Sequence, residues 1–92
     1  MFYTYVLDCT NSKSGYRERY VGWTEDLQKR VIEHQAKGTK STKSFDKINL
    51  IYFEACINKT DAIRRERQLK TGFGRGYIKR RLKTYFDGVS RG

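Results

Sequence analysis

The chain has 92 residues, of which 20 are Lys or Arg and 10 are Asp or Glu, so its formal net charge is +10. This length predicts one domain with a modest core, and 37% hydrophobic with 33% charged residues is a globular rather than a disordered composition. No apolar run approaches the roughly 20 residues of a membrane-spanning helix. Two cysteines and a single histidine are too few ligands for a structural zinc site.

The first half of the chain predicts a β-hairpin followed by a helix. Residues 2–7 form an aromatic and β-branched run typical of a buried strand, and residues 17–23 form a second strand after a turn. Thr24 is the predicted N-cap of a helix that runs to about Lys37 and ends at Gly38.

The next segment predicts one more strand and a second helix. Residues 48–57 have the composition of a third strand, and Thr60 is the predicted cap of a helix over 61–71. Gly72 is the predicted stop of that helix.

The C-terminal segment predicts a third helix after a tight, glycine-containing connection at 73–76. This helix covers about 77–86 and turns its apolar side chains inward. We expect one domain over residues 1–86 and a frayed tail over 87–92.

The element order β-β-α-β-α-α indicates an α+β fold. The first helix carries the chain back, so the third strand runs in the same direction as the second. If neighbouring strands are antiparallel, the third strand must flank the first, and the sheet is three-stranded and antiparallel with the order 2-1-3. A central first strand agrees with its nearly unbroken apolar run.

The positive net charge predicts a polyanionic partner. The usual partners of such a field are nucleic acid and anionic membrane. Membrane binding requires an amphipathic basic helix with exposed large apolar residues, and the apolar residues here are better used in a core. We expect nucleic acid, with DNA favoured over RNA, and no membrane. The lone thiols and the lack of a basic segment ahead of the first apolar run favour the cytoplasm.

Four motifs, in order along the chain, resemble the GIY-YIG nuclease family. Residues 4–6 (Thr-Tyr-Val) and 20–22 (Tyr-Val-Gly) resemble the two motifs that name the family. Residues 24–34 resemble its arginine-bearing helix, and residues 62–70 resemble the helix with its metal-binding glutamate. The resemblance spans residues 2–70, and the following tail resembles the small stand-alone members.

The resemblance implies hydrolysis of a phosphodiester by an activated water with one metal ion, Mg²⁺ or Mn²⁺. In such a reaction a tyrosine helps to deprotonate the water, an arginine steadies the phosphate, and the metal polarises the phosphate and the leaving oxygen. The catalytic residues carried over to this chain are Tyr5, Tyr20, Arg30, His34 and Glu66, with Glu66 as the metal ligand. We expect an endonuclease of low sequence specificity, in DNA repair or recombination.

The position of Glu66 on the second helix also makes it a candidate site residue. It lies in the middle of an inward stripe formed by Ala62, Ile63, Leu69 and Lys70. A carboxylate there is costly unless it is paired or metal-bound, and one carboxylate can suffice for Mg²⁺, which keeps most of its waters. The alternative is an ion pair with a nearby arginine.

Arg30 and His34 are four residues apart and therefore share one helix face. Arg30 offers a planar fork of donors to a phosphate, and His34 can bind a phosphate or support a proton transfer. The alternatives are a solvated arginine and a histidine satisfied at the edge of the core.

Tyr5 and Tyr20 lie on the paired strands. An unperturbed tyrosine has a pKa of about 10, so a tyrosine base needs positive charge nearby. We expect Tyr5 to be the base and Tyr20 to contact phosphate or water; alternatively, both rings only pack in the core. Some family members carry a lysine just after the second motif, where this chain has Trp23. The candidate cations are then Arg17, Arg19 and Lys13.

Further residues are predicted to contact nucleic acid. Gly22 leaves room for a phosphate or backbone to approach, Lys40 and Lys43 lie in a polar loop, and Arg75 and Lys79 lie on or beside the basic third helix. Such contacts give affinity without sequence information. The alternative interpretation is that the loop and the helix face contact only solvent.

Two other functions stay open from sequence alone. One is a basic nucleic-acid-binding module without catalysis, against which the inward Glu66 argues. The other is a protein-interaction domain, which the net charge disfavours only mildly.

Overall fold

The computed structural model describes residues 1–91. The three strands form one antiparallel sheet in the order β2-β1-β3, which confirms the predicted α+β fold and sheet order. None of the described helices is long and apolar enough to cross a membrane. The elements in chain order are β1 (Phe2–Thr10), β2 (Arg17–Thr24), α1 (Leu27–Gln35), β3 (Lys47–Cys56), α2 (Lys59–Leu69), α3 (Gly72–Arg81) and α4 (Lys83–Arg91).

The central strand β1 is buried on both faces of the sheet. Successive side chains of a strand point to opposite faces, and Tyr5 and Leu7 pack in a cluster that Leu27 and Val31 of α1 join. Val6 packs on the other face in a cluster with residues of α2, α3 and α4, among them Leu69, Ile78, Leu82 and Phe86. The sheet therefore lies between α1 and the C-terminal helices.

Helix α1 is capped two residues later than predicted. The Asp26 carboxylate accepts the N–H of Lys29 at 3.1 Å, whereas Thr24 is the last residue of β2. At the other end Lys37 takes the left-handed conformation, with φ 62°, and Gly38 donates its N–H back into the last turn. The predicted cap at Thr24 is wrong because the strand extends through it.

The boundary between α2 and α3 also differs from the prediction. The cap of α2 is Asn58, whose side chain accepts the N–H of Thr60 at 2.9 Å. Gly72 begins α3 rather than ending α2. A Cβ on Gly74 would lie 2.3 Å from the Leu69 backbone, so glycine there lets α3 begin against the end of α2. The segment predicted as a tight connection is therefore the first turn of α3, capped by Thr71.

The C-terminal residues form more helix than predicted. The predicted helix over 77–86 is divided between α3 and α4. The segment 87–92, expected to fray, is helical as far as Arg91, and its final residue lies outside the described residues. The Tyr85 hydroxyl donates to the buried Asp8 carboxylate and ties α4 to the sheet.

Candidate active site

A cleft of about 620 Å³ opens beside the edge strand β2. It gathers side chains from β1, β2, α1 and α2, because the loops on this side of the sheet bring those elements together. The structure therefore places in one cleft the residues that the sequence motifs hold far apart. The side chains predicted to be catalytic that line it are Tyr5, Tyr20, Arg30, His34 and Glu66.

A buried hydrogen-bonded chain forms the floor of the cleft. The Tyr5 hydroxyl lies 2.9 Å from Nε2 of His34, and the two residues are only 2% and 1% exposed. Nδ1 of His34 lies 2.8 Å from the hydroxyls of both Thr39 and Thr42. Burial lowers the pKa of His34, and the charge of Arg30 lowers it further, so the imidazole is neutral at pH 7.

Gly22 is required by the position of Tyr5. The two residues are partners across β1 and β2, and a Cβ on Gly22 would lie 2.5 Å from the Tyr5 hydroxyl oxygen and 3.1 Å from a ring carbon of Tyr20. The space that this glycine leaves is thus taken by Tyr5 rather than open to a phosphate. A contact of Gly22 with nucleic acid is limited to its backbone.

The two tyrosines differ in their surroundings. Burial raises the pKa of Tyr5, and Tyr20 raises it further; Arg30 opposes this, and Glu66 adds a smaller upward effect. Tyr5 is therefore protonated at neutral pH. Tyr20 is half-buried, and its ring centroid lies 6.3 Å from that of Tyr5 and 5.0 Å from that of His34.

Glu66 lies on the cleft side of α2 with its side chain 18% exposed. Its ion-pair partner is Lys70, one turn further along the helix, with the nitrogen 3.6 Å from the carboxylate oxygen. The alternative considered from the sequence was an ion pair of Glu66 with an arginine. The contact is longer than a hydrogen bond, so the carboxylate keeps oxygen lone pairs for another ligand.

The donor set of the cleft limits the kind of metal that it fits. Within residues 1–91, no group of three or more His, Cys, Asp or Glu side chains is arranged to hold a metal ion. Zinc sites need such a group. A hard cation such as Mg²⁺ is bound by one or two carboxylates and retains several waters, and the half-buried Glu66 fits that requirement.

The cleft also carries cations, one of which is Arg30. Its side chain is 41% exposed and lies 3.6 Å from the Glu33 carboxylate. Such an exposed, loose pair contributes little to stability, so the guanidinium remains available to a phosphate. Lys29 and Lys59 line the same cleft.

Lys59 and Trp23 are site residues that the sequence analysis missed. The Lys59 ammonium lies 5.3 Å from the centroid of the Trp23 ring, and both residues line the cleft. Lys59 and Glu66 are seven residues apart and so share one face of α2. That spacing was a usable signal, but the predicted helix began too late to include Lys59.

The cations proposed from sequence to act on the tyrosines lie elsewhere. Arg17 binds the Asp8 carboxylate through two hydrogen bonds of 2.9 and 2.6 Å. The Arg19 guanidinium lies 5.0 Å from the ring centroid of Phe86, and Lys13 lies in the turn between β1 and β2. Arg17 and Arg19 do not line this cleft because alternate residues of β2 face away from it, and Lys13 precedes the strand.

The predicted nucleic-acid contacts are dispersed. Lys40 and Lys43 are exposed in the loop after α1, where Thr39 rather than either lysine lines the cleft. Lys79 is exposed on α3, and Arg75 lines a separate cavity.

The fold and the cleft define an α+β domain whose site combines tyrosines, an arginine and a glutamate at the edge of an antiparallel sheet. The family model for the GIY-YIG catalytic domain matches residues 1–81, which include every element from β1 through α3. The chain belongs to this family of nucleases.

Curated relatives agree with this assignment. The UPF0213 protein of Bacillus pumilus (strain SAFR-032) is 37% identical over 70 residues, which cover 75% of this chain and 66% of the relative. The UPF0213 protein of Halobacterium salinarum is 35% identical over 71 residues, covering 76% and 86%. The one from Staphylococcus saprophyticus is 33% identical over 70 residues, covering 75% and 79%. These names state no activity. No solved structure is significantly similar to the chain.

Proposed function

We propose that the protein is a metal-dependent endonuclease that hydrolyses nucleic-acid phosphodiesters with low sequence specificity. The observation that carries this proposal is the meeting of five side chains from four elements in one cleft: Tyr5, Tyr20, Arg30, His34 and Glu66. A pure binding module has no use for a half-buried carboxylate in a site that must accept a polyanion.

Cations of the cleft bind the scissile phosphate in this proposal. Arg30 presents a planar set of donors that matches two phosphate oxygens. Lys29 and Lys59 line the same cleft from α1 and α2, so positive charge reaches the phosphate from two sides. These contacts also hold the reacting phosphate in place, which lowers the entropic part of the barrier.

Tyr20 is the better candidate for the group that accepts a proton from the attacking water. Tyr5 is buried, its hydroxyl is bonded to His34, and its raised pKa opposes ionisation. Tyr20 is half-buried and lines the cleft, to which Arg30 and Lys59 bring positive charge. This reverses the roles predicted from sequence, and it makes Tyr5 and His34 positioning residues beneath Tyr20.

Glu66 would hold one Mg²⁺ or Mn²⁺ ion. When bound, such an ion polarises the phosphate and stabilises the leaving oxygen. Lys70, one turn further along α2, partly offsets the negative charge of Glu66. Of the other carboxylates that line the cleft, Asp26 caps α1, Glu33 pairs with Arg30 and Glu25 is exposed. We therefore assign the ion to Glu66.

The cleft favours contacts to the backbone of nucleic acid over contacts to bases. Hydroxyl groups are the most numerous polar groups of its lining, beside three cations and four carboxylates, and hydroxyls and cations position a strand without reading it. Sequence reading needs side chains held against base edges in a groove. We propose DNA as the first substrate to test, RNA as the alternative, and DNA repair or recombination as the setting.

A panel of end-labelled DNA and RNA substrates tests this function. Single strands, duplexes and branched forms are incubated with the protein and Mg²⁺, Mn²⁺ or a chelator. We expect metal-dependent cleavage at many sequences. Binding without cleavage of any substrate, with either metal, would indicate a non-catalytic nucleic-acid-binding module instead.

A further inference from the structure

A second cavity, of about 530 Å³, adjoins the candidate active site on the sheet face covered by α2 and α3. Tyr20 lines both cavities. Lys70 lines the second cavity, and its ammonium lies 3.6 Å from Glu66, which lines the first. The two cavities thus meet at Tyr20 and at the Glu66–Lys70 pair.

Two arginines come together in this second cavity. A guanidinium nitrogen of Arg19 donates to the backbone carbonyl of Arg75 at 3.4 Å, while the Arg19 guanidinium lies over the Phe86 ring. Burial lowers the pKa of Arg19, and the charge of Arg75 lowers it further, although Asp8 opposes this. Both residues line the cavity, and the Arg19 guanidinium reaches the backbone of Arg75.

Neither arginine has an ion-pair partner among the residues that the structure describes. Asp8 is already bound by Arg17 through both of its oxygens.

The remaining charged groups of the cavity leave it positive. Glu18 lines it together with Arg19, Lys70 and Arg75, and the Glu18 carboxylate accepts the Tyr16 hydroxyl at 3.5 Å. Three cations against one carboxylate give the cavity an excess of positive charge. An anion between the two arginines would relieve their repulsion and gain charge-assisted hydrogen bonds.

We propose that Arg19 and Arg75 bind a non-scissile backbone phosphate of the same nucleic-acid strand. The strand would cross the edge of β2 over Tyr20, with the scissile phosphate in the first cavity and a neighbouring one in the second. This inference rests on the proposed function for the identity of the strand. It assigns to Arg19 a role in holding the substrate. It also implies that Arg75 contacts a phosphate at a fixed distance along the strand from the scissile phosphate, and not any phosphate that meets a basic surface.

The first arm of the test measures binding without cleavage. A labelled DNA strand is titrated in chelator, across a range of salt, with the wild type, Arg19→Gln, Arg75→Gln and the control Arg64→Gln. Arg64 is exposed on α2 and lines neither of these two cavities. We expect each of the first two variants to bind about tenfold more weakly at low salt. The slope of log affinity against log salt should shrink by about one unit in each.

The second arm locates the contacted phosphate. Oligonucleotides carry one uncharged methylphosphonate at successive positions, and cleavage of every bond is mapped with Mg²⁺. For the wild type and Arg64→Gln, a neutral linkage at one fixed offset should suppress the cut. In Arg75→Gln that suppression should vanish, and because Arg75 is exposed this variant keeps the test valid even if loss of the Arg19–Phe86 contact unfolds Arg19→Gln.

The outcomes separate the two proposals. The phosphate site is overturned if Arg75→Gln binds DNA as tightly as Arg64→Gln does. It is also overturned if a neutral linkage at the same offset suppresses cleavage in both variants, even when cleavage of unmodified DNA is normal. If the affinity and the salt slope fall as expected but no protein cuts DNA or RNA, the phosphate site stands and the nuclease proposal fails.

Discussion

The Tyr5 hydroxyl lies 2.9 Å from Nε2 of His34, and both side chains are buried beneath the cleft. The two threonine hydroxyls on Nδ1 hold the imidazole from its other side. The polar side-chain atoms of this hydrogen-bonded series all have hydrogen-bond partners inside the protein. Among the described residues, no buried side-chain nitrogen or oxygen lacks such a partner. The floor of the site is therefore rigid, and its members act through Tyr20 and Gly22 above them.

Phenylalanine substitutions should distinguish the roles of Tyr5 and Tyr20. Tyr5→Phe leaves a buried nitrogen of His34 without its partner and should cost about 1–3 kcal/mol in the free energy of unfolding. Tyr20→Phe should leave stability nearly unchanged and lower the cleavage rate by about 10²–10⁴-fold. Denaturant unfolding and single-turnover cleavage measure these effects. A larger rate loss in a folded Tyr5→Phe than in Tyr20→Phe would restore Tyr5 as the base.

Substitution of Gly22 should disturb the Tyr5 hydroxyl. The added methyl group of Gly22→Ala would lie 2.5 Å from that oxygen, so we expect a loss of about 1–3 kcal/mol in unfolding free energy. Gly88→Ala is the matched control, because no atom lies within 4 Å of its ideal Cβ and alanine favours helix. Equal stability of the two variants would show that the close packing at Gly22 is not required.

His34 should make stability depend on pH in a defined direction. Because the pKa of the folded state is lowered, the unfolded chain binds a proton first as the pH falls. The contribution to stability is then full above the unfolded pKa of about 6.5 and is lost progressively below it. Unfolding of the wild type and His34→Gln between about pH 8 and 5 checks this. A variant whose slope below pH 6.5 equals that of the wild type would mean that other groups cause the decline.

Lys59 should contribute to the rate through its charge in the cleft. Lys59→Met keeps the aliphatic stem against Trp23 and removes the ammonium. We expect kcat/KM to fall about tenfold at low salt, and less at high salt because screening already weakens the contact. Lys83→Met, which removes an exposed lysine on α4 paired with Asp87, should cut at the wild-type rate. Equal kcat/KM for the two variants would remove Lys59 from the site.

The sequence predicted the strands because apolar runs report burial directly, and the sheet order because the first helix returns the chain, so that β3 must flank β1 in an antiparallel sheet. It did not predict the helix ends correctly, because Thr24 and Asp26 are both good caps and only the length of β2 decides between them. The glycines at 73–76 signal a turn in isolation, whereas here Gly74 is needed for contact between two helices.

The site was predicted only where a motif marked it. The threonines that hold His34 lie in a loop whose composition is that of a solvated segment, and Thr42 is buried only because the loop folds back on α1. Lys59 was missed because the start of α2 was placed at residue 61. The threonines have no local pattern that distinguishes them from surface threonines, whereas the spacing of Lys59 from Glu66 is a signal only once α2 is known to begin at residue 59.

The proposed function depends on Glu66 as the metal ligand, and the cleavage rate of Glu66→Gln in Mg²⁺, measured beside that of Asp61→Asn, tests this dependence. Both substitutions remove one negative charge from α2, but the Asp61 side chain is 61% exposed and pairs only with Arg64, at 3.9 Å, among the described residues. We predict that Glu66→Gln binds DNA at least as tightly as the wild type in chelator but does not cut it, while Asp61→Asn cuts normally. Cleavage by Glu66→Gln at the wild-type rate would show that cleavage does not depend on Glu66 as a metal ligand.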